Sequence, residues 1–117
     1  MEIISKAKLV RIFVGETDKI GHIPVYEKIV TEARKAGLSG ATVTKGVMGF
    51  GKNSIIHTAK ILRLSEDLPL VIEIVDDLEK IEKFLPVLHD IFEQANCGGL
   101  ITLEKADVIK YFATKHK

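Results

Sequence analysis

The chain has 117 residues, 46% of them apolar and 28% charged, a length and composition that suit one hydrophobic core and exclude intrinsic disorder. Lys and Arg number 17 against 16 Asp and Glu, and the net charge of +1 leaves no basic footprint for nucleic acid or an anionic membrane. No apolar run approaches the roughly 20 residues of a membrane span, Met1–Lys6 lacks an apolar signal core, and one cysteine, Cys97, cannot form an internal disulfide or a multi-cysteine metal site. The expectation is a soluble cytoplasmic chain forming a single domain, residues 1–117, with no membrane insertion and no nucleic-acid partner.

Lys8 to Val14 alternates as a strand, with Val10, Ile12 and Val14 on one face and Leu9, Arg11 and Phe13 on the other. The polar segment from Gly15 to His22 reads as a loop. Pro24 suits the first position of a helix, and Val25, Ile29, Ala33 and Ala36 follow at helical spacing until Gly37, which tolerates the left-handed conformation of a helix end. Ala41 to Met48 has the Thr and Val content of a strand and runs into the glycine-rich Gly46-Val47-Met48-Gly49-Phe50-Gly51-Lys52-Asn53-Ser54.

Ile61–Leu64 and Pro69–Val75 both read as extended about the turn Ser65-Glu66-Asp67, either as one bulged strand or as two. Asp76 or Asp77 can cap a second helix whose apolar stripe is Leu78, Ile81, Leu85, Leu88 and Phe92; Pro86 predicts a kink or a late start. Asn96-Cys97-Gly98-Gly99 ends that helix, with Gly98 as its cap, and Leu100 to Leu103 begins the last strand. Val108 to Phe112 fits an extended piece or a short helix. The order βαββαβ predicts an α+β, ferredoxin-like sandwich: a four-stranded antiparallel sheet with two helices on one face.

The other sheet face should then be polar, and it is not. Leu9 and Phe13 on the first strand, with Val71 and Val75 on the third, would leave a contiguous apolar patch of about a few hundred Å2 in water. A homo-oligomer with its sheets turned inward follows as the expectation.

Candidate chemistry gathers at two glycine segments. In Lys45-Gly46-Val47-Met48-Gly49-Phe50-Gly51-Lys52-Asn53, glycines let backbone N–H groups converge on phosphate oxygens, and Lys45 or Lys52 adds charge. The spacing is that of neither a Walker loop nor a Rossmann turn, and a plain connection between strands explains the glycines on spacing alone. Gly98 and Gly99 form the second segment. Of His22, His57, His89 and His116, none makes a metal-ligand pair; His57 lies in the connection between the second and third strands and is the functional candidate. Glu73 interrupts an apolar strand, so it sits at a solvated edge or is paired. Glu66 and Asp67 read as a solvated turn, and Cys97 as a packing or capping residue.

Four blocks in order carry a resemblance: Gly37-Leu38-Ser39-Gly40-Ala41-Thr42-Val43; Gly46 to Gly51; Leu64-Ser65-Glu66-Asp67-Leu68-Pro69 before Ile72-Glu73-Ile74-Val75-Asp76; and Gly99-Leu100-Ile101-Thr102-Leu103-Glu104. From about Lys8 to Tyr111 the chain resembles the PII-like (GlnB-like) proteins of a widespread prokaryotic family of unknown function. The resemblance implies a homotrimer of ferredoxin-like subunits that binds an adenine nucleotide in clefts between subunits and signals to an unidentified partner protein. It makes Gly46 to His57 the effector loop and Asn96 to Gly99 a phosphate contact. The loop has no tyrosine in the place of Phe50, and the Gly98-Gly99 turn brings no Lys or Arg. AMP or ADP is therefore expected more than ATP, with no cofactor required and no catalytic residue. The alternative is a small ferredoxin-like enzyme acting on a nucleotide or phosphate compound through His57.

Overall fold

A computed structural model describes residues 5–50, 57–58 and 67–113. Four strands, β1 (Ser5–Gly15), β2 (Thr42–Lys45), β3 (Pro69–Asp76) and β4 (Leu100–Val108), form one antiparallel sheet in the order β2-β3-β1-β4. Helices α1 (Val25–Lys35) and α2 (Leu78–Ala95) complete the predicted βαββαβ order. The register pairs Ile12 with Ile72 and Ile101, and Val10 with Ile74 and Leu103, so the apolar sets of the strands share one face. Onto that face pack Val25, Ile29 and Ala33 of α1 and Ile81, Phe84, Leu88 and Ile91 of α2, giving one core with Val10, Ile12, Val14, Leu70, Ile72 and Ile74.

Several local expectations shift. Pro24 precedes α1, which begins at Val25; Gly37, at φ +81°, ends it as expected. Within the expected loop, Lys19–Ile20 pairs with Ile23–Pro24 around Gly21, whose φ is +59°. The expected strand from Ala41 to Met48 divides in two. Gly46 turns the chain after Lys45 against the Pro69 ring, and Met48–Gly49 pairs separately with His57–Thr58. Helix α2 runs unbroken through Pro86, so there is no late start. Its buried row is Ile81, Phe84, Leu88 and Ile91; Leu78 and Leu85 of the expected stripe are exposed. The residue that ends α2 in the left-handed region is Asn96, at φ 51°, and not Gly98. Strand β4 extends to Val108, and no helix follows it through 113. Ile61–Leu64, with Ser65 and Glu66, lie outside the described residues, as does His116.

The face away from the helices carries the expected apolar residues, but they are not one contiguous patch: the Arg11–Glu73 pair stands between Leu9 with Val75 and Phe13 with Val71. That face carries Leu9 and Phe13 of β1, Val71 and Val75 of β3, and Leu100 of β4, the last at 56% exposure. Among the described residues no helix is long and apolar enough to cross a membrane.

Candidate nucleotide site at one end of the sheet

Antiparallel pairing brings distant segments to one rim. Lys45 and Val14 both pair with Leu70, Gly15 pairs with Pro69, and Phe13 pairs with Leu100. The segments that follow β1 and β2, and those that precede β3 and β4, therefore open at the same end of the sheet. Both glycine segments belong to this rim, at its two edges. Lys45, Gly46, Gly49 and Phe50 follow the edge strand β2, whereas Gly98 and Gly99 precede the opposite edge strand β4. Three strand spacings separate those edges, about 14 Å. Gly51, Lys52 and Asn53 lie outside the described residues; His57 is placed by its backbone pairing with Gly49.

The glycines do different work. Gly46 donates its N–H to the Pro69 carbonyl at 2.7 Å, so that donor is spent within the chain. A β-carbon on Gly46 would stand 2.8 Å from Pro69 Cγ, and one on Gly49 2.9 Å from the same atom; the two residues clasp the proline ring. Gly99 lies against the Phe92 ring and the Phe13 carbonyl, where a β-carbon would come within 2.7 Å of that oxygen. Gly98 meets nothing within 4 Å of a β-carbon and is open. Phe50 is 71% exposed at the opposite edge.

Between the edges, the rim is acidic. Glu16 donates its N–H to the Leu68 carbonyl and holds Lys45 Nζ through Oε2 at 2.8 Å. Asp18 accepts from the Gly15 N–H and Asp67 from the Thr17 N–H, each at 2.9 Å. Burial, with the nearby Asp67 charge, pushes the Asp18 carboxyl above its ordinary value despite the Gly15 N–H. Cys97 is half-buried beside Asp18, and burial together with that carboxylate raises the thiol's pKa. Sequence reading missed Glu16 and Asp18 and treated Asp67 as a solvated turn, because their convergence depends on pairing between strands some 50 residues apart. Glu73, by contrast, stands on the interior strand β3 and is paired with Arg11, not placed at an edge. His22 is exposed, and His89 is an exposed helix residue 3.4 Å from Glu93.

The described rim can thus offer an anion two lysines, Lys45, itself engaged, and Lys19 on the segment after β1, with the backbone of an open glycine turn. It has an exposed aromatic ring for a base, Phe50, on the sheet edge opposite Gly98 and Gly99.

Comparison with known proteins agrees with this architecture. The profile of the family DUF190 (Uncharacterized ACR) matches residues 7–108. A UPF0166 protein from Aquifex aeolicus is 39% identical over 106 residues, 91% of this chain and 96% of that one. Another, from Methanocaldococcus jannaschii, is 37% identical over 105 residues, covering 90% and 94%. Among solved structures, CPII from Thiomonas intermedia K12, a nitrogen regulatory PII-like protein bound to ADP, AMP and bicarbonate, superposes with a TM-score of 0.70. Identity is 17%, and 91% of each chain is covered. The same protein bound to ADP and bicarbonate gives 0.69, with the same identity and coverage. At that identity the likeness concerns the fold, which is the PII-like, ferredoxin-like one.

Proposed function

The chain belongs to the DUF190 family, and from that premise we propose that it is a PII-like regulatory protein, a homotrimer that binds an adenine nucleotide between copies. The observation that carries the proposal is the position of the two glycine segments at opposite edges of one sheet end. An edge of one copy set beside the opposite edge of the next would bring Gly49, Phe50 and Lys45 to face Gly98 and Gly99, completing a cleft that neither copy has alone. The nucleotide-bound PII-like neighbours and the apolar outer face of the sheet support this reading.

AMP or ADP suits the cleft better than ATP. Each added phosphate brings negative charge, while the described rim contributes Glu16, Asp18 and Asp67 against Lys19 and a Lys45 already held at 2.8 Å. The segment 46–57, whose described residues 46–50 follow the edge strand β2, is the surface through which occupancy would reach a partner protein.

Isothermal calorimetry with AMP, ADP and ATP tests the proposal on the assembled protein. Saturable binding of AMP or ADP at millimolar concentration or below, tighter than ATP, is expected. Absence of binding by all three would remove the nucleotide, and ATP binding most tightly would overturn the ranking.

A further inference from the structure

The outer face of the sheet has a charged centre. Among the described strand residues, those facing away from the helices are Ala7, Leu9, Arg11, Phe13 and Gly15 on β1, Thr42 and Thr44 on β2, Pro69, Val71, Glu73 and Val75 on β3, and the even-numbered residues 100–108 on β4. Arg11, Glu73 and Glu104 are the titratable groups of that set, and they form a single network. Arg11 Nε donates to Glu73 Oε2 at 2.8 Å, and Nη1 to Glu104 Oε2 at 2.6 Å. Arg11 and Glu73 lie on the two interior strands, with Leu9, Phe13, Val71 and Val75 on either side along those strands. Whatever buries the apolar face must bury the network as well.

We propose that this network sets the strength of the interface between copies of the chain, with the excess carboxylate opposing assembly and Arg11 limiting that opposition. The inference rests on the homo-oligomer proposed above. Four strands at about 4.8 Å and seven residues at about 3.3 Å give a face on the order of 450 Å2 in projection, before side-chain relief. Two such faces together approach the roughly 1,000 Å2 needed for a specific interface, so a second copy is an occupant of the right size. Each copy brings two carboxylates and one guanidinium, a charge of −1, and the guanidinium is already committed to its own chain. A charge in excess of its partners is costly to remove from water, and like charges brought together repel.

The consequence runs opposite to the usual effect of cutting an ion pair. Glu104→Gln leaves Arg11 matched one to one with Glu73 and should tighten assembly about tenfold or more. Arg11→Gln strands two carboxylates and should loosen it by a similar factor, about tenfold. The triple variant Arg11→Gln, Glu73→Gln, Glu104→Gln, uncharged throughout, should assemble more tightly than Arg11→Gln alone. Added salt should tighten the wild-type assembly by screening the repulsion.

Sedimentation velocity over a dilution series reads all four, with circular dichroism confirming that each variant folds. If wild type and Glu104→Gln both remain 13.0 kDa particles at every concentration, the homo-oligomer itself fails and this inference falls with it. If the wild type assembles and Glu104→Gln weakens it or leaves it unchanged, the oligomer stands and the proposed role of the network is overturned.

Discussion

Gly99 has no room for a β-carbon. The Phe92 ring stands on one side and the Phe13 carbonyl on the other, at 2.7 Å from where that carbon would lie. Gly99→Ala should therefore push the turn before β4 away from α2, at a cost of about 1–3 kcal/mol, measurable by urea unfolding. Gly98→Ala, with open space around it, should cost far less. Asp18 offers a pH-dependent test. Its carboxyl is raised by burial, so the folded state prefers the protonated form. The stability this confers is complete below the ordinary value of 3.8 and is lost as pH rises through the raised folded value. Asp18→Asn, which keeps an oxygen for the Gly15 N–H, should raise the melting temperature at pH 7 and leave it little changed at pH 3. The same substitution removes the carboxylate that helps to keep Cys97 a neutral thiol, so iodoacetamide should react faster with the variant at pH 8. Equal alkylation rates would show that Asp18 does not govern the thiol. None of this residue-scale detail is legible in the sequence: Gly99 reads there as a candidate phosphate contact and not as a residue packed against a ring, and no pattern in residues 15–18 indicates that Asp67 and Cys97 stand beside them.

At the scale of elements, sequence periodicity reaches further, and its errors have physical causes. The alternation in β1 and β3 was legible because a two-residue period admits only two faces, and the wrong one would expose every isoleucine. Helix α2 was harder. Leu78, Leu85 and Phe92 form one row and Phe84, Leu88 and Ile91 a neighbouring one, with Ile81 between them. Both rows satisfy helical spacing, and the seating of the helix on the sheet decides which is buried. Leu88, with no exposed surface, and Leu85, at 36% exposure, separate the two readings. Leu88→Ala should destabilise by about 2–5 kcal/mol, whereas Leu85→Ala should cost less than about 1 kcal/mol. Equal losses in chemical denaturation would contradict the observed packing. The strand predicted from Ala41 overruns the observed one for a different reason. Gly46 ends β2 by folding against Pro69, a contact with a residue 23 positions later that no local pattern encodes. At the end of α2, Asn96 and Gly98 were both chemically suited to the left-handed position, and the first to follow the last helical turn took it.

At the scale of the whole molecule, the apolar outer face and the divided glycine segments constrain each other. A chain that merely hid its sheet could pair with another in many orientations, and a chain that merely bound a nucleotide would gather its binding groups in one place. Here the candidate groups lie about 14 Å apart at opposite sheet edges, and under the function proposed above assembly and ligand binding would share one equilibrium. A ligand that binds only the assembled form stabilises it by mass action, and assembly must raise ligand affinity by the same coupling. Adding ADP at fixed protein concentration should shift the sedimentation profile toward the oligomer, and diluting the protein should weaken the apparent affinity for ADP. Val71→Glu, which places a charge in the middle of the outer face, should yield a folded 13.0 kDa particle that no longer binds nucleotide, although Val71 is no part of the proposed cleft. Phe112→Ser removes a larger apolar side chain, 80% exposed, from a segment beyond β4 and should leave both properties unchanged. If the Val71→Glu monomer binds ADP as tightly as the wild type, the cleft is complete within one chain, and the separation of the glycine segments must have another explanation.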